Sequence, residues 1–472
     1  MSNDTARIPP LARSRVPRGV AMAGLATSMF LVVLGTAMVN LAGPAIRQGL
    51  GLSAAELSMV ASSYLVALAG LLLLGGRLAD VLGARRVFLA AMAVYLTASV
   101  LCALAATGPM LIAGRVGQGI GAAALMPSSF ALMLSLYTSA AERTRAMGLW
   151  GVISGIGSLL GVFFGGSLTD ALGWQSVFWA PLAFGVLSAI VVWCSVPPAP
   201  CRPGRFDVPG AVTITLGISA LALGMITASE AGWGAPSTLI SLTVGPASLV
   251  AFVLVERRSA HPLVPLDVFR KKPVVTASAV LMLIGATLAS LLFFLPLYQQ
   301  EVLGMSALST GLTQAPIALM MIVGSGSAPW AARRVGPARA LRAALVLLLL
   351  GLLWLVLNPT TTGFTPHLLG AFSLIGAGLG LGSVNAVTMA VHDSGEGEGG
   401  LLSALVTTAQ QLGGAIGLAA LAGVAIGTAG ASGGIAFTTV FLGQCALVFV
   451  ALALSFASAP GRDRLRAASP RP

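Results

Sequence analysis

Charge is what this chain has least of. Only 8% of its residues are Asp, Glu, Lys or Arg, where an ordinary soluble domain carries about 25%, so a soluble globular protein is excluded and no stretch is left for a soluble domain of useful size. Cysteine is scarce as well: Cys102, Cys194, Cys201 and Cys445 have neither metal-ligand spacing nor an extracellular cluster, which argues against a disulfide framework and a metal centre. Three histidines, His261, His367 and His392, offer little proton chemistry, and each is expected at or beyond a span end. The phosphate-cradling pattern G-x-x-x-x-G-K-[ST] is missing, so ATP-driven transport by this chain alone is excluded. No enzyme and no cofactor is expected.

What the chain has is apolar length. It is 57% hydrophobic with a mean hydropathy of +0.94, and runs long enough to cross a bilayer as helices recur throughout. Spans are expected at about 20–44, 55–76, 87–106, 110–134, 146–168 and 176–195, then at about 209–228 and 237–255. Six more are expected at about 274–297, 309–328, 340–357, 368–390, 401–426 and 437–457. The net charge of +12 does not imply nucleic acid, because the basic residues sit in short loops. With fourteen spans and both ends inside, 24 of the 26 Lys and Arg fall on one side, with Arg47 outside and Arg115 within a span, as the positive-inside rule requires of cytoplasmic loops. The predicted organisation is a cytoplasmic tail 1–19, a six-helix bundle 20–195, a linker region 196–273 with two extra helices, a second bundle 274–457 and a cytoplasmic tail 458–472. The apolar segment after the tail lacks a small-residue cleavage site, so a retained first span is expected.

Three stretches carry chemistry. In LIAGRVGQGIGAA, Leu111 to Ala123, Arg115 stands inside an apolar run at an insertion cost of roughly 2.5–3.5 kcal/mol, and such residues usually face a bundle interior or a watery cavity. Snorkelling to the headgroups is the alternative. GGRLADVLGARRVFL, Gly75 to Leu89, gathers Gly76, Asp80, Gly83, Arg85 and Arg86 in a short turn, either a hydrated loop or a conformational latch, since a carboxylate can oppose the positive N-terminus of a neighbouring helix. The third places Gly148, Gly157, Gly161, Gly165 and Gly166 along one span, where glycines at i and i+4 let helix backbones approach closely. Thr36, Asn40, Tyr64, Asn385, Thr407 and Gln410 (or Gln411), with Gln118 beside Arg115, are candidate cavity-lining groups, although each can equally serve as hydrogen-bonding glue between helices.

The spacing G-x-L-A-D-x-x-G-x-R-R resembles the loop signature of the major facilitator superfamily, with Val81 where that family has a basic residue. LIAGRVGQGIGAA is similar to its fourth-helix motif, and G-x8-G-x3-G-x3-G-G to its antiporter motif, with Val162 where a proline is expected. FDVPGA (Phe206 to Ala211), GWG (Gly232 to Gly234), ERRSAHPLVPLDVFR, LPLYQQEVLGMSALSTGLTQAP and QQLGGAIG (Gln410 to Gly417) extend the likeness, together with the two extra central helices, to the fourteen-span drug:H+ antiporter group. The resemblance implies an all-α polytopic membrane protein with the major facilitator fold. It also implies a latch between Asp80 and the chain near Gly400 and Leu401, and a role for Arg115 in substrate or proton coupling. One departure matters: where the family reads L-D-x-T in the first helix, this chain reads LGTA, with Gly35 and Ala37 in place of the Asp and the Thr.

The expectation is therefore a secondary transporter of a bacterial inner membrane that exports a small organic molecule by alternating access, with protons as the counter-ion and a monomer as the working unit. Proton coupling is assigned to Arg115 with Asp170, or to substrate ionisation. Because every acidic residue is expected in a loop or at a membrane edge, a neutral, zwitterionic or anionic substrate is favoured over a cation. The alternatives are facilitated diffusion or uptake of a metabolite, and a non-transporting membrane sensor.

Overall fold

The computed structural model describes residues 17–137, 140–197, 207–259, 262, 266–357, 366–391, 399–428 and 436–457; within its helices the side chains of 73, 80, 140, 141, 143–145, 147–152, 154, 155, 226, 229, 230, 266, 366, 367, 399–401, 403, 404 and 426–428 lie outside the description. Every regular element among the described residues is helical. In chain order these are α1 (Arg18–Leu41), α2 (Gly43–Leu50), α3 (Ala54–Leu82), α4 (Ala84–Ala103), α5 (Gly108–Leu136), α6 (Ala140–Leu172) and α7 (Ser176–Ser195). They are followed by α8 (Val208–Ala231), α9 (Pro236–Arg258), α10 (Lys272–Leu297), α11 (Ala307–Val335), α12 (Pro337–Leu357), α13 (Pro366–Val391), α14 (Gly399–Thr428) and α15 (Phe437–Ala457). Thirteen of the described helices are long and apolar enough to span a bilayer. The remaining expected span is α6, 33 residues long, whose described apolar stretch is Ile156–Leu172.

Local signals set the ends. Ser53 and Glu56 form a capping box at the start of α3, satisfying two backbone donors that the first turn leaves without partners. Thr107 accepts from Met110 N at the start of α5, and Asp207 from Gly210 N at the start of α8. Between α3 and α4 the turn is one residue, Gly83, at φ 90°, a conformation that favours glycine. The first span is shorter than expected: α1 stops at Leu41, and a new helix with Pro44 in its first turn carries the chain along the membrane edge to Gly51.

The helices fall into two sets that repeat one packing scheme. In the first set α3 lies on α5, α4 on α5, and α1 on α6 and α7; in the second α11 lies on α13, α12 on α13, and α10 on α14 and α15. Each position in one set has its counterpart in the other, the arrangement of duplicated transporter halves. Of the two extra helices, α8 packs against both α3 and α14 and so bridges the halves, whereas α9 packs mainly on α8 and buries only Thr238, Gly245, Phe252 and Glu256.

The two ends of this assembly differ. The helix ends and turns around the α3–α4, α9–α10 and α11–α12 connections carry Arg85, Arg86, Arg257, Arg258, Arg270, Lys271, Lys272, Arg333 and Arg334; we call this the basic end. At the opposite, sparse end one apolar cluster runs unbroken across both halves, from Leu34, Met38 and Ile46 through Val60 and Phe178 to Phe293, Leu297, Leu418 and Ala425. Each half also has its own core, one built on Phe88, Met92 and Leu132, the other on Leu281, Leu345 and Phe372, and a smaller cluster of Ala69, Ile214, Ile218, Val274, Leu402 and Leu405 joins the halves through α8.

Candidate functional site

Where the two halves face each other, a cavity of about 230 Å3 is enclosed by α1, α3, α5, α6, α10 and α14. Its polar lining is Thr36, Asn40, Tyr64, Arg115, Ser158, Gln410 and Gln411, and the rest is apolar, including Met29, Met126, Leu288 and Leu292. Arg115 is 2% exposed. Its Nε donates to the Val60 carbonyl at 3.2 Å, its Nη1 to Gln118 Oε1 at 2.8 Å, and its guanidinium lies over the Tyr64 ring at 4.3 Å. All three partners are in the bundle, so the guanidinium does not snorkel. Gln118 is fixed in turn, donating to Ser99 Oγ at 2.8 Å, and Ser99 donates to the Tyr95 carbonyl at 2.8 Å.

Glycines make these approaches possible. A Cβ at Gly114 would stand 2.5 Å from Cys102 Sγ, one at Gly121 2.8 Å from Tyr95 N, and one at Gly119 2.5 Å from the Tyr64 carbonyl. The motif around Arg115 thus seats α5 against α4 on one side and α3 on the other. Across the cavity, Gly413 meets the Met282 backbone and Gly417 meets Ala286, pressing α14 onto α10 while Gln410, Gln411 and Gly414 are left on the cavity side.

The glycine stripe of α6 serves two partners. Cβ atoms at Gly157, Gly161 and Gly165 would stand 3.2 Å from the Phe30 carbonyl oxygen, 2.9 Å from that of Leu34 and 2.8 Å from Met38 Cα, all on α1. Gly166 instead abuts Ala307 and Leu308 of α11, and Gly311 returns the contact onto Val162. Gly148 belongs to the part of α6 whose side chains are not described.

Other expected site residues lie elsewhere. Asp170 is not beside Arg115: it sits at the sparse end, where Oδ2 accepts from Leu308 N at 2.9 Å, because α6 carries it beyond the cavity to the first turn of α11. Asn385 is fully buried within the second half, donating to the Leu381 carbonyl at 2.8 Å, and Thr407 is exposed; neither is among the residues that line the cavity. Arg85 donates to the Trp193 carbonyl and stacks on that indole at 5.0 Å, a bond inside its own half. Gly76 faces Pro127, and Arg86 is exposed. The Asp80, Gly400 and Leu401 side chains, and His261, His367 and His392, fall outside the described residues or side chains.

Sequence reasoning missed two features. Ser158, hidden between the α6 glycines, lines the cavity. At the sparse end Arg47 Nη1 donates to Glu301 Oε1 at 2.8 Å, and Gln300 Nε2 donates to the Leu41 carbonyl at 2.9 Å, both across the halves. A π-helical turn, Tyr298–Val302, carries Gln300 and Glu301. The motif YQQEVLG was the only signal, and nothing in it names its partners.

The Major Facilitator Superfamily profile matches residues 25–418. The chain is 37% identical over 400 residues to the cephamycin export protein CmcT of Amycolatopsis lactamdurans, covering 84% of this chain and 82% of that one. It is 32% identical over 419 residues to a methylenomycin A resistance protein of Streptomyces coelicolor, covering 88% of each. It is 36% identical over 412 residues to the puromycin resistance protein pur8 of Streptomyces alboniger, covering 86% and 81%. Among solved structures it superposes on the POT family transporter PepTSo with a TM-score of 0.69 at 16% identity, over 94% of this chain and 98% of that one. The xylose transporter XylE from E. coli gives 0.64 at 13% identity, over 94% and 99%. With the family profile spanning most of its length, its two repeated six-helix sets and its cavity between them, this chain is a multi-pass membrane transporter of the Major Facilitator Superfamily.

Proposed function

We propose that the protein exports a small organic molecule, of the antibiotic or related metabolite class, across a bacterial inner membrane by alternating access. The observation that carries this reading is the cavity between the halves, lined by seven polar side chains and sealed at the sparse end by contacts that cross from one half to the other. The names of the relatives support export: one is a cephamycin export protein and two are resistance proteins.

In this reading the basic end is cytoplasmic, both termini with it, since cytoplasmic loops collect Lys and Arg. The sparse-end contacts are then an outer gate in its closed state, and the segments 20–195 and 274–457 are the two rocking bodies, linked through 196–273. Arg115 is the substrate-coupling residue, Gln118 its positioning residue, and Thr36, Asn40, Tyr64 and Gln410 further cavity contacts. The α6 glycines 157, 161, 165 and 166 let α6 hold the gate closed, with Gly148 on the same span. The turn of Gly76, Asp80, Gly83, Arg85 and Arg86 is the cytoplasmic latch, which holds the outward-facing state by bringing Asp80 to the start of α14. Protons are the counter-ion and the protein works as a monomer.

An efflux-deficient host challenged with a compound panel, with and without the gene, tests export: protection against at least one compound, lost in Arg115→Gln, is expected, and no protection sinks the reading. A second reading, facilitated diffusion, is favoured by the cavity's having no carboxylate among its lining residues. Accumulation in reconstituted vesicles only when a pH gradient is imposed separates the two.

A further inference from the structure

Among the lining residues of the cavity Arg115 is the one charged group. Its Nε and Nη1 are engaged by neutral acceptors, Val60 and Gln118, and Nη2 has no acceptor among the described residues. The Tyr64 ring beneath it offers a π face, which attracts a cation without cancelling its charge. The acidic residues with described side chains lie elsewhere: Glu56, Asp170 and Glu301 at the sparse end, Glu142 and Asp207 at the starts of α6 and α8, Glu256 at the end of α9 and Asp267 in the turn before α10. A permanently charged guanidinium held in a low-dielectric site without a counter-charge is costly unless an anion joins it.

A second observation points the same way. Tyr64 also lines the cavity, and its buried hydroxyl stands beside the Thr36 hydroxyl without a well-aligned hydrogen bond. Buried polar atoms of folded proteins are rarely left so, and here the weakly paired group belongs to the side chain on which Arg115 rests. On the other side, Gln410, whose Nε2 also donates to Ser383 Oγ at 3.3 Å, and Gln411 present amides from α14, groups with hydrogens left to donate to a carboxylate or to the polar tail of an organic molecule. Met29, Met126, Leu288 and Leu292 supply an apolar wall.

We propose that this cavity is a site for organic carboxylates: the substrate's carboxylate pairs with the free edge of Arg115, and its apolar body packs against the methionine and leucine wall. The inference rests on the export reading and narrows it to one charge class. It has an energetic corollary. Exchange of one monoanion outward for one proton inward moves two elementary charges per turnover, each worth about 2.3 kcal/mol per 100 mV, whereas exchange of a monocation for a proton is electroneutral. Export of a carboxylate must therefore respond to membrane potential even when the pH gradient is held at zero.

The probes are 1-naphthoate, 1-naphthamide and 1-naphthylmethylammonium, which share one ring system and differ in charge. Binding is measured by calorimetry on the full-length protein in lipid nanodiscs. Naphthoate is expected to bind at least tenfold more tightly than the other two, and Arg115→Gln to erase that preference. Because Arg115→Gln also removes packing around α5, two isosteric variants that supply a carboxylate from the protein, Asn40→Asp and Gln410→Glu, are tested beside it; both should weaken naphthoate and improve the ammonium. In proteoliposomes, naphthoate flux should rise with a valinomycin-imposed potential at zero pH gradient. Equal affinity for the three probes, no naphthoate binding by folded protein, or a preference for the ammonium overturns the proposal. Failure of the export reading is distinguishable, since it leaves the binding preference intact while the gene protects against no compound.

Discussion

The sparse end and the cavity treat charge in opposite ways. At the sparse end every charge that crosses the halves has a partner: Arg47 meets Glu301, and Asp170 meets the N-terminal turn of α11. In the cavity Arg115 is buried more deeply than any of these yet has only neutral partners. A pair that satisfies itself across an interface holds that interface shut, and it can be remade after each opening because its members sit near water, with side chains 28% and 27% exposed. A buried charge that the protein leaves uncompensated is an invitation to a ligand. The contrast separates residues of the gate from residues of the site, a distinction that a reading of the sequence alone blurs, assigning proton coupling to Arg115 with Asp170, or to substrate ionisation.

The largest expected break in this comparison is Arg115→Gln. If the charge is there for substrate, removing it costs the binding energy of a charged hydrogen bond, about 1.5–3 kcal/mol, or roughly 10–100-fold in transport. Fold stability should stay level or rise, because an uncompensated buried charge is removed. Thermal unfolding of the purified variant checks the second half: a collapse in stability parallel to the loss of transport would make Arg115 a structural residue.

Next in size are the backbone contacts that hold the site's walls. Gly413→Ala drives a methyl into the Met282 backbone, and Gly161→Ala drives one to within 2.9 Å of the Leu34 carbonyl. Overpacking of this kind costs about 1–3 kcal/mol. Gly413→Ala should displace Gln410 and Gln411 and weaken substrate binding, whereas Gly161→Ala, on the α1 side of α6, should mainly lower the melting temperature. If both variants changed stability and binding in the same proportion, the division of labour drawn between the two glycine stripes would fail.

Much of this architecture was legible in the chain. Long apolar runs separated by arginine-bearing loops fix spans, and the pairing of helices in two equivalent sets was foreshadowed by the related turns LGAR, Leu82 to Arg85, and VGPAR, Val335 to Arg339. Arg115 announced itself because a cation in a hydrophobic run has few places to go. What could not be read was which face of a uniformly apolar helix turns inward. Asn385 and Gln410 look alike as isolated polar residues, yet Asn385 bonds to its own helix while Gln410 lines the cavity. The gate was illegible for another reason: Arg47 and Glu301 are 254 residues apart, and neither lies in a motif whose spacing points to the other.

Smaller again is the effect of Asp170. Asp170→Ala removes an acceptor at the start of α11, a loss of about 0.5–2 kcal/mol for capping-type contacts, whereas Asp170→Asn keeps an acceptor and should lose only the attraction of a negative charge for the helix N-terminus, about 0.3–1 kcal/mol. Both should raise the open fraction at the sparse end, with Ala above Asn, and naphthoate affinity in the closed state should be unchanged. A drop in that affinity on Asp170→Asn would return Asp170 to the substrate site.

The gentlest expected perturbation is also the most diagnostic of a gate. Exposed ion pairs contribute about 0–1 kcal/mol, so Arg47→Ala or Glu301→Gln should shift the balance of closed and open forms by no more than about fivefold. The shift should shrink as salt is raised, since charges exposed to solvent are screened at high ionic strength. Spin labels at Gln48 and Val302, both exposed on the sparse end, read the closure as a distance distribution. Each single variant should enlarge the long-distance population, and the exchange Arg47→Glu with Glu301→Arg should restore the short one, because the bond depends on opposite signs and not on which half supplies which. If the charge exchange opened the end further than either single change, the pair would be a local packing feature, and closure would have to be credited to the apolar cluster from Leu34 to Ala425 and the α6–α11 contact alone.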